Sequence, residues 1–340
     1  ARQLLQRGKL VDDVDQRGAE ITTLFAENKP ALARYNLEDC RLVWDIFARE
    51  NLLEYAAQRS QLTGLELDRY GGSVAALDYL YLPRLHRKGF VAPSAGQARN
   101  TDISPGGYVM DSVPGIHDHV AVLDFKSLYP SIIRTFHVDP LALVCGSREA
   151  DAIPGFEGAR FSREQHILPA LIESLWAARD EARQRGRKEV SQAIKIIMNS
   201  FYGVLGTSGC RFLDSRLVSS ITRRGHQIIL DSKAQIESLG YQVIYGDTDS
   251  LFVLIADKHG HPAADLPSAE AIANDLAGSL NVWWRERLQN EMGLTSFLEM
   301  EFETLFTRFF MPTVRGTDTG SKKRYAGMLA SGKLVFKGLE

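Results

Sequence analysis

Three aspartates stand where the sequence changes character. Asp124 ends the apolar run Val120-Ala-Val-Leu-Asp124. Asp247 and Asp249 flank Thr248 between two further apolar runs, Tyr241-Gln-Val-Ile-Tyr245 and Ser250-Leu-Phe-Val-Leu-Ile255. The first pattern suits a buried strand with a carboxylate at its end; the second suits a β-hairpin with acidic residues at its tip. Residues two apart share a strand face, although a turn can break that rule. If these strands are neighbours in one sheet, two or three carboxylates meet. Carboxylates that close repel unless a cation sits between them. Magnesium prefers oxygen ligands and keeps waters or phosphates in its shell. A pair of such ions about 3.5–4 Å apart serves in-line phosphoryl transfer, one activating the attacking hydroxyl and the other stabilising the leaving oxygen. A plainer explanation stands beside this one, because Asp is common in hairpin turns for backbone reasons.

A second constellation is cationic. Leu168, Leu171, Ile172 and Leu175 form a helical stripe, and the same face continues by fours to Arg179 and Arg183. Gly186 separates the helical stretches 167–185 and 188–203, a gap short enough for an antiparallel helical hairpin. In the second stretch Lys195, Asn199 and Tyr202 share a face, while Ile194, Ile197 and Phe201 take another and can pack inward. The hairpin can thus present Arg179, Arg183, Lys195 and Asn199 to one ligand, and converging cations suit a triphosphate. A solvated basic face is the plainer reading.

The elements that must position these groups follow from the rest of the chain. Its 340 residues are enough for two or three domains. An apolar fraction of 44% and a charged fraction of 24% fit an ordinary globular protein. No run approaches the roughly 18 apolar residues of a membrane span. The first residues, Ala1-Arg2-Gln3-Leu4-Leu5, contain no apolar signal core and no initiator Met, and read as the interior of a longer protein. Cys40, Cys145 and Cys210 are far apart and form no CxxC pair, which points to buried reduced thiols rather than zinc or a disulfide framework.

Net charge is −2, so the whole chain is not a basic coat for nucleic acid. Yet Arg160–Lys233 holds 13 Lys/Arg against 7 Asp/Glu, and Arg315–Glu340 holds 6 against 2. A polyanionic partner together with metal-binding carboxylates accounts for such unevenness. Helix is expected over 31–59 and 73–87, with turns at Gly64 and Gly71-Gly72, a loop or domain junction over 92–107, and helix over 268–290 with Trp283 and Trp284 inward. Strand-like segments lie around Lys322–Tyr325 and Leu334–Phe336.

Together these segments resemble the family B DNA polymerases. Asp124-Phe-Lys-Ser-Leu-Tyr-Pro-Ser-Ile-Ile133 is similar to the family's DxxSLYPSII motif, and Lys195-Ile-Ile-Met-Asn199-Ser-Phe-Tyr-Gly203 to KxxxNSxYG. Tyr245-Gly-Asp-Thr-Asp-Ser250 is similar to YGDTDS, and Lys322-Lys-Arg-Tyr325 to KKRY. Any one could arise by chance; four in the family's order hardly could. The likeness, closest to a bacterial member, extends to Ser104-Pro-Gly-Gly-Tyr-Val109 and to Val335-Phe-Lys-Gly-Leu-Glu340.

The resemblance implies roles. Asp124 and Asp249 become the principal metal ligands, helped by the Phe125 carbonyl, with Asp247 secondary and two Mg²⁺ ions as cofactor. Ser127, Leu128 and Tyr129 hold the triphosphate and sugar, and Tyr129 fills the place of a ribose 2′-hydroxyl. Arg179, Arg183, Lys195 and Asn199 bind the triphosphate, and Tyr202 and Gly203 line the nascent base pair. Lys322, Lys323, Arg324 and Tyr325 grip primer–template DNA without reading its sequence. Tyr35-Asn-Leu-Glu-Asp39 is similar to the last motif of the family's 3′–5′ exonuclease, YxxxD, with Asp39 as a metal ligand.

The implied fold is mixed α/β (α+β): a palm with a mainly antiparallel sheet, two-helix antiparallel fingers, and the C-terminal remnant of an RNase H-like exonuclease domain. Its expected segments are 1–70 exonuclease, 71–95 connection, 96–159 palm, 160–207 fingers and 208–340 palm, without a thumb. An exonuclease DxE motif is not found upstream, so proofreading is expected of the full protein and not of this chain. The partners implied are primer–template DNA and dNTP, with a sliding clamp reached through regions outside the chain, and no membrane. The implied setting is the bacterial cytoplasm, with nucleoid association. Two rivals are a palm-type RNA polymerase or reverse transcriptase, and a catalytically silent DNA-binding or scaffold subunit.

Overall fold

The computed structural model describes residues 1–11, 16–69, 71–97, 105–255, 265–314, 316 and 319–339. Part of the expected 92–107 loop, including Ser104, lies outside the described residues, as do Arg315 and Glu340. The chain divides into two compact units, Ala1–Gly72 with Ala178–Lys195, and Ser73–Ala177 with Ile196–Glu340.

The first unit is helical, with α1 (Arg2–Leu5), α2 (Arg17–Glu27), α3 (Lys29–Arg49) and α4 (Leu52–Thr63). Asn28 caps α3 by accepting the Ala31 N–H at 3.1 Å, and Pro30 occupies its first turn, where no N–H is needed. The expected single helix over 31–59 is in fact α3 and α4. The chain breaks at Asn51, whose φ of 50° lies in the left-handed region that Asn tolerates better than most residues.

The second unit holds α5 (Ser73–Arg87), β1 (Gly115–Phe125), α6 (Leu128–Phe136), α7 (Pro140–Gly146) and a small ribbon of β2 (Ile153–Pro154) and β3 (Arg160–Phe161). Next come α8 (Leu168–Gln184) and α9 (Lys188–Leu205), helices whose residues 178–195 belong to the first unit. Then follow α10 (Ser215–Ser238), β4 (Gln242–Asp247), β5 (Ser250–Leu254), α11 (Leu266–Met292), β6 (Met300–Met311), β7 (Tyr325–Leu329) and β8 (Leu334–Lys337). The architecture is mixed α/β with a mainly antiparallel sheet, as the sequence led us to expect. Six strands run in the order β4-β5-β1-β6-β7-β8, every neighbour antiparallel.

Side-chain alternation along β1 explains how the sheet is layered. Val120 and Val122 join Tyr245, Phe252, Phe306 and Phe309 in one buried cluster. Ala121 and Leu123, equally buried, point to the other face. There α11 lies against β6 and β1, and α10 against β4 and β5. The Trp284 indole N–H donates to Ser232 Oγ at 2.9 Å and fastens α11 to α10. Of the two tryptophans expected inside, only Trp284 is buried; Trp283 is half-buried beside Arg287. Successive helix residues diverge by about 100°, so two neighbours cannot both face one core.

Gly327 on β7 faces Phe309 across the strand pair, and a Cβ there would meet the Phe306 ring. Gly327→Ala is therefore expected to lower stability by about 1–3 kcal/mol through overpacking, read as a shifted denaturant midpoint. An unchanged midpoint would contradict this packing.

Among the described residues no helix is long and apolar enough to cross a membrane. The cysteines are all free, but only Cys210 is buried; Cys145 is half-buried and Cys40 exposed, against the expectation of three buried thiols. At Cys40 the reason is local: it lies on an open face of α3.

Candidate active site

The ends of β1 and of the β4–β5 hairpin meet. Asp124 lies opposite Ser250, and the Ser250 hydroxyl donates to Asp124 Oδ1 at 2.7 Å. The turn is tight because Thr248 adopts φ 60°, with the Asp249 N–H donating to the Asp247 carbonyl at 2.7 Å. The Phe125 N–H donates to the Asp249 carbonyl at 2.9 Å, so the residue after Asp124 is bonded directly to the turn. Asp124, Asp247 and Asp249 thereby line one cavity of about 610 Å³ whose floor includes Val122, Phe252 and Phe306.

Electrostatics follow from this crowding. Burial pushes Asp124 up to about 7; the Ser250 hydrogen bond opposes the shift, and the charges of Asp249, Glu303 and Glu301 reinforce it. Burial also raises Asp249, reinforced by the charges of Asp247 and Glu303 and opposed by Lys337. Glu303 and Lys337 line the same cavity; no motif contains Glu303, and Lys337 lies in the Val335–Glu340 segment of the resemblance without a role assigned to it. In the β1–β6 pairing Val122 faces Thr304 and Leu123 faces Phe302, leaving Glu303 as the extra residue of a β-bulge. A bulge re-aims a side chain. The acidic alternation Glu299, Glu301, Glu303 was the available signal.

Ser127, with φ 51°, precedes α6, which begins with Leu128 and Tyr129. Leu128 is buried, whereas Ser127 and Tyr129 are half-buried. The Tyr129 ring packs against Tyr202 with centroids 4.5 Å apart. Burial raises the Tyr129 hydroxyl to about 12, followed by Tyr202 and the charges of Asp249 and Asp247, so this ring stands within electrostatic reach of the carboxylates. Asn199 is exposed, and a Cβ on Gly203 would meet no described atom within 4 Å apart from its chain neighbours and the backbone of its own helix.

Lys322, Lys323 and Arg324 precede β7 instead of forming a strand, because Lys323 takes φ 60°, which a strand cannot accommodate. The Lys323 N–H donates to the Tyr245 hydroxyl at 3.0 Å, and its ammonium lies 3.5 Å from Asp247 Oδ1. Lys322 pairs with Asp111 at 3.1 Å; Arg324 is exposed. The Tyr325 ring packs on Phe252 and Phe309 and lines the cavity.

The other predicted residues belong to the first unit. Arg179 is buried, and its Nε has no partner among the described residues; burial lowers its pKa, with the charge of Arg183 adding to that. Arg183 and Lys195 are exposed. Tyr35 and Asp39 share a face of α3, where Lys9 pairs with Asp39 at 2.8 Å and lies 5.9 Å from the Tyr35 ring centroid.

Whether the central cluster suits a metal ion can be judged from its donors. No group of three or more His, Cys, Asp or Glu side chains among the described residues forms a ready-made metal site. Two half-buried carboxylates with raised pKa values, at an open cavity, nevertheless fit a hard divalent ion that takes its other ligands from phosphate and water. The sign of the pH effect follows. Asp124 has its folded pKa, about 7, above the ordinary 3.8, so apo stability falls as pH rises between those values. A bound divalent ion relieves the repulsion only once the carboxylate is ionised. The rise in Tm caused by Mg²⁺ is therefore expected to be larger at pH 8 than at pH 6; equal rises would contradict the assignment.

Comparison with known proteins points the same way. Residues 69–340 match the family model described as DNA polymerase family B. The chain is 54% identical to DNA polymerase II of Escherichia coli (strain K12), an alignment covering 100% of this chain and 43% of that protein. It is 30% identical to the DNA polymerase of Desulfurococcus sp. (strain Tok), over 92% of this chain and 40% of that one. The structure of the family B DNA polymerase from Pyrobaculum calidifontis superposes with a TM-score of 0.58 at 28% identity, covering 92% of this chain and 39% of that one. The chain thus spans about two fifths of the length of the relatives it matches. With the carboxylates gathered where the ends of β1 and the β4–β5 hairpin meet, and a family match over most of its length, this chain belongs to the family B DNA polymerases.

Proposed function

We propose that this chain carries the nucleotidyl-transfer core of a template-directed DNA polymerase. The observation that supports this reading best is the meeting of Asp124 and Asp249 at one cavity, with Tyr129 within reach of their charge. In the reaction the primer 3′-hydroxyl attacks the α-phosphorus of a dNTP, the new phosphodiester bond forms, and pyrophosphate leaves.

Family B DNA polymerases depend on divalent metal ions. Bound here, two Mg²⁺ ions in this proposal, they supply charge neutralisation at the phosphates and activation of the primer hydroxyl. Asp124 and Asp249 hold them, aided by the Phe125 carbonyl. Asp247 is secondary, because Lys323 already neutralises part of its charge. Ser127, Leu128 and Tyr129 seat the triphosphate and sugar, and the Tyr129 ring excludes a 2′-hydroxyl. Arg179, Arg183, Lys195 and Asn199 bind the triphosphate, while Tyr202 and Gly203 border the nascent pair. No protein residue forms a covalent bond; positioning and fixed charge supply the catalysis.

In this reading residues 96–159 and 208–340 are palm, 160–207 fingers, 71–95 a connection, and 1–70 the end of an exonuclease domain containing Tyr35 and Asp39. The full-length protein then also proofreads and acts in replication or repair, with a clamp as a further partner, in the bacterial cytoplasm and associated with the nucleoid. Primer extension by the chain and by the full-length protein, side by side with Mg²⁺ and dNTPs, tests the proposal. Templated extension by the full-length protein supports it, and none by that protein sinks it.

Lys322, Lys323 and Arg324 would grip DNA through phosphates. Each phosphate contact contributes a slope of about −0.9 to log affinity against log salt. Replacing Lys322 and Arg324 together by Ala is expected to flatten that slope by about 2, measured by fluorescence anisotropy over a salt series. An affinity indifferent to salt in the parent protein would contradict the grip.

A further inference from the structure

His137 and His166 meet where α6 ends and α8 begins. His137 closes α6 with φ 51° and ψ 38°, and His166 stands two residues before Leu168, the first residue of α8. Their ring centroids are 4.2 Å apart, with the planes tilted by 47°. The Nδ1 atom of each ring is shut off from solvent and has no hydrogen-bond partner among the described residues. The backbone beside them is tied by Asp139, which accepts the Ala142 N–H at 2.8 Å, the Ile167 N–H at 3.1 Å and the Leu168 N–H at 2.7 Å. All of these residues belong to the second unit.

A left-handed residue after a helix is most often Gly, sometimes Asn. A histidine there brings a ring, and here the ring meets a second one. A protonated imidazole is a donor at both nitrogens. Neither Nδ1 could place a proton on an acceptor unless the rings moved. The neighbouring charges add to the difficulty. Lys88, at the end of α5, acts on His166, where Glu164 opposes it; Arg163 acts on His137. Arg134 of α6 is engaged by Glu173 at 3.3 Å, and Asp139 is turned to the N–H groups of α7 and α8. Burial pushes both rings below the ordinary 6.5. The charge of His166 adds to this at His137, and that of Lys88 at His166; the carbonyls of Ser162 and Arg163 oppose it.

We infer that the His137–His166 pair is an acid-released latch on the joint between α6 and α8: two neutral rings close the joint, and protons taken up from solvent part them and loosen it. In the open joint each ring returns to the ordinary 6.5, whereas in the closed joint it stays lower. The open joint therefore binds more protons, and the closed one weakens as pH falls below 6.5. Above that value both rings are neutral in either state, and the latch is indifferent to pH. Opening that takes up two protons changes by up to about 100-fold per pH unit, against about tenfold for one. The latch needs no substrate and is independent of the polymerase reading.

The test uses the full-length protein and amide hydrogen exchange read by mass spectrometry from pH 5 to pH 8, with intrinsic exchange rates divided out. Peptides covering 132–140 and 160–168 are expected to lose protection at least about tenfold between pH 7.5 and pH 5, beyond any loss in β1 and β6. His137→Asn suits the left-handed backbone, and His166→Gln keeps an uncharged side chain; each removes one titrating ring. Either single variant should lose less protection on acidification than the parent, and the double variant should show no loss confined to the joint. A merely structural pair would change protection by the same factor at every pH and leave the acid dependence of the parent, and that result overturns the inference. So does a parent whose joint keeps its protection at pH 5. Should the variants fail to fold, exchange of the imidazole Cε1 hydrogens in the parent decides, since its pH profile gives the midpoint of each ring. Midpoints below 6.5 alongside the local loss of protection support the latch; a midpoint at or above 6.5 for either ring overturns it.

Discussion

Asp249→Asn in the full-length protein is expected to reduce primer extension by about 10³-fold or more, leaving primer–template affinity within about twofold. The substitution is nearly isosteric. It keeps the backbone bond from Phe125 to the Asp249 carbonyl and the tight turn through Thr248. What disappears is one negative charge at the cavity where Asp124 and Asp249 repel each other. In the proposed mechanism the duplex is positioned by groups elsewhere, above all the residues preceding β7. Asp247→Asn should cost less, because the Asp247 charge is already partly answered by Lys323 at 3.5 Å. Extension rates and anisotropy on the same preparations check both statements. Near-normal extension by Asp249→Asn would remove the basis of the proposed mechanism.

The second large effect concerns the sugar. Tyr129→Ala is expected to lower the preference for dNTP over rNTP by about 100-fold or more. Shortening Tyr129 opens space at the first turn of α6 and also removes its contact with Tyr202, 4.5 Å away between ring centroids. In the proposed mechanism both effects free the space a 2′-hydroxyl would need, so rNTP use should rise while dNTP use falls only modestly. Paired kcat/KM values for one dNTP and its ribonucleotide give the ratio. An unchanged ratio would take Tyr129 away from the sugar and reopen the case for a ribonucleotide polymerase.

Much of the central site was legible in the sequence because local rules carried it. Alternation and turn chemistry placed Asp124 at a strand end and Asp247–Asp249 at a hairpin tip, and the helical period placed Ile194, Ile197 and Phe201 inside. Groups set by long-range pairing were hidden. Glu303 enters the cavity only because β6 carries one extra residue opposite β1, and Lys337 only because β8 closes the sheet beyond β7. Neither follows from a periodicity. Arg179 shows the limit of extending a stripe: the face of Leu168, Leu171, Ile172 and Leu175 continues, but Arg179 is itself buried. Asp139 is a further case. Its sequence neighbours announce only a cap on α7 through Asp139-Pro140, and the bond to Leu168 spans 29 residues.

The most direct test of the central claim is single-nucleotide incorporation by the full-length protein on four primer–templates that differ only in the templating base, with Mg²⁺ and one dNTP at a time. The account predicts that each template directs addition of its complementary deoxynucleotide with release of pyrophosphate. Addition of the same nucleotide whatever the template, or no addition at all, would contradict it.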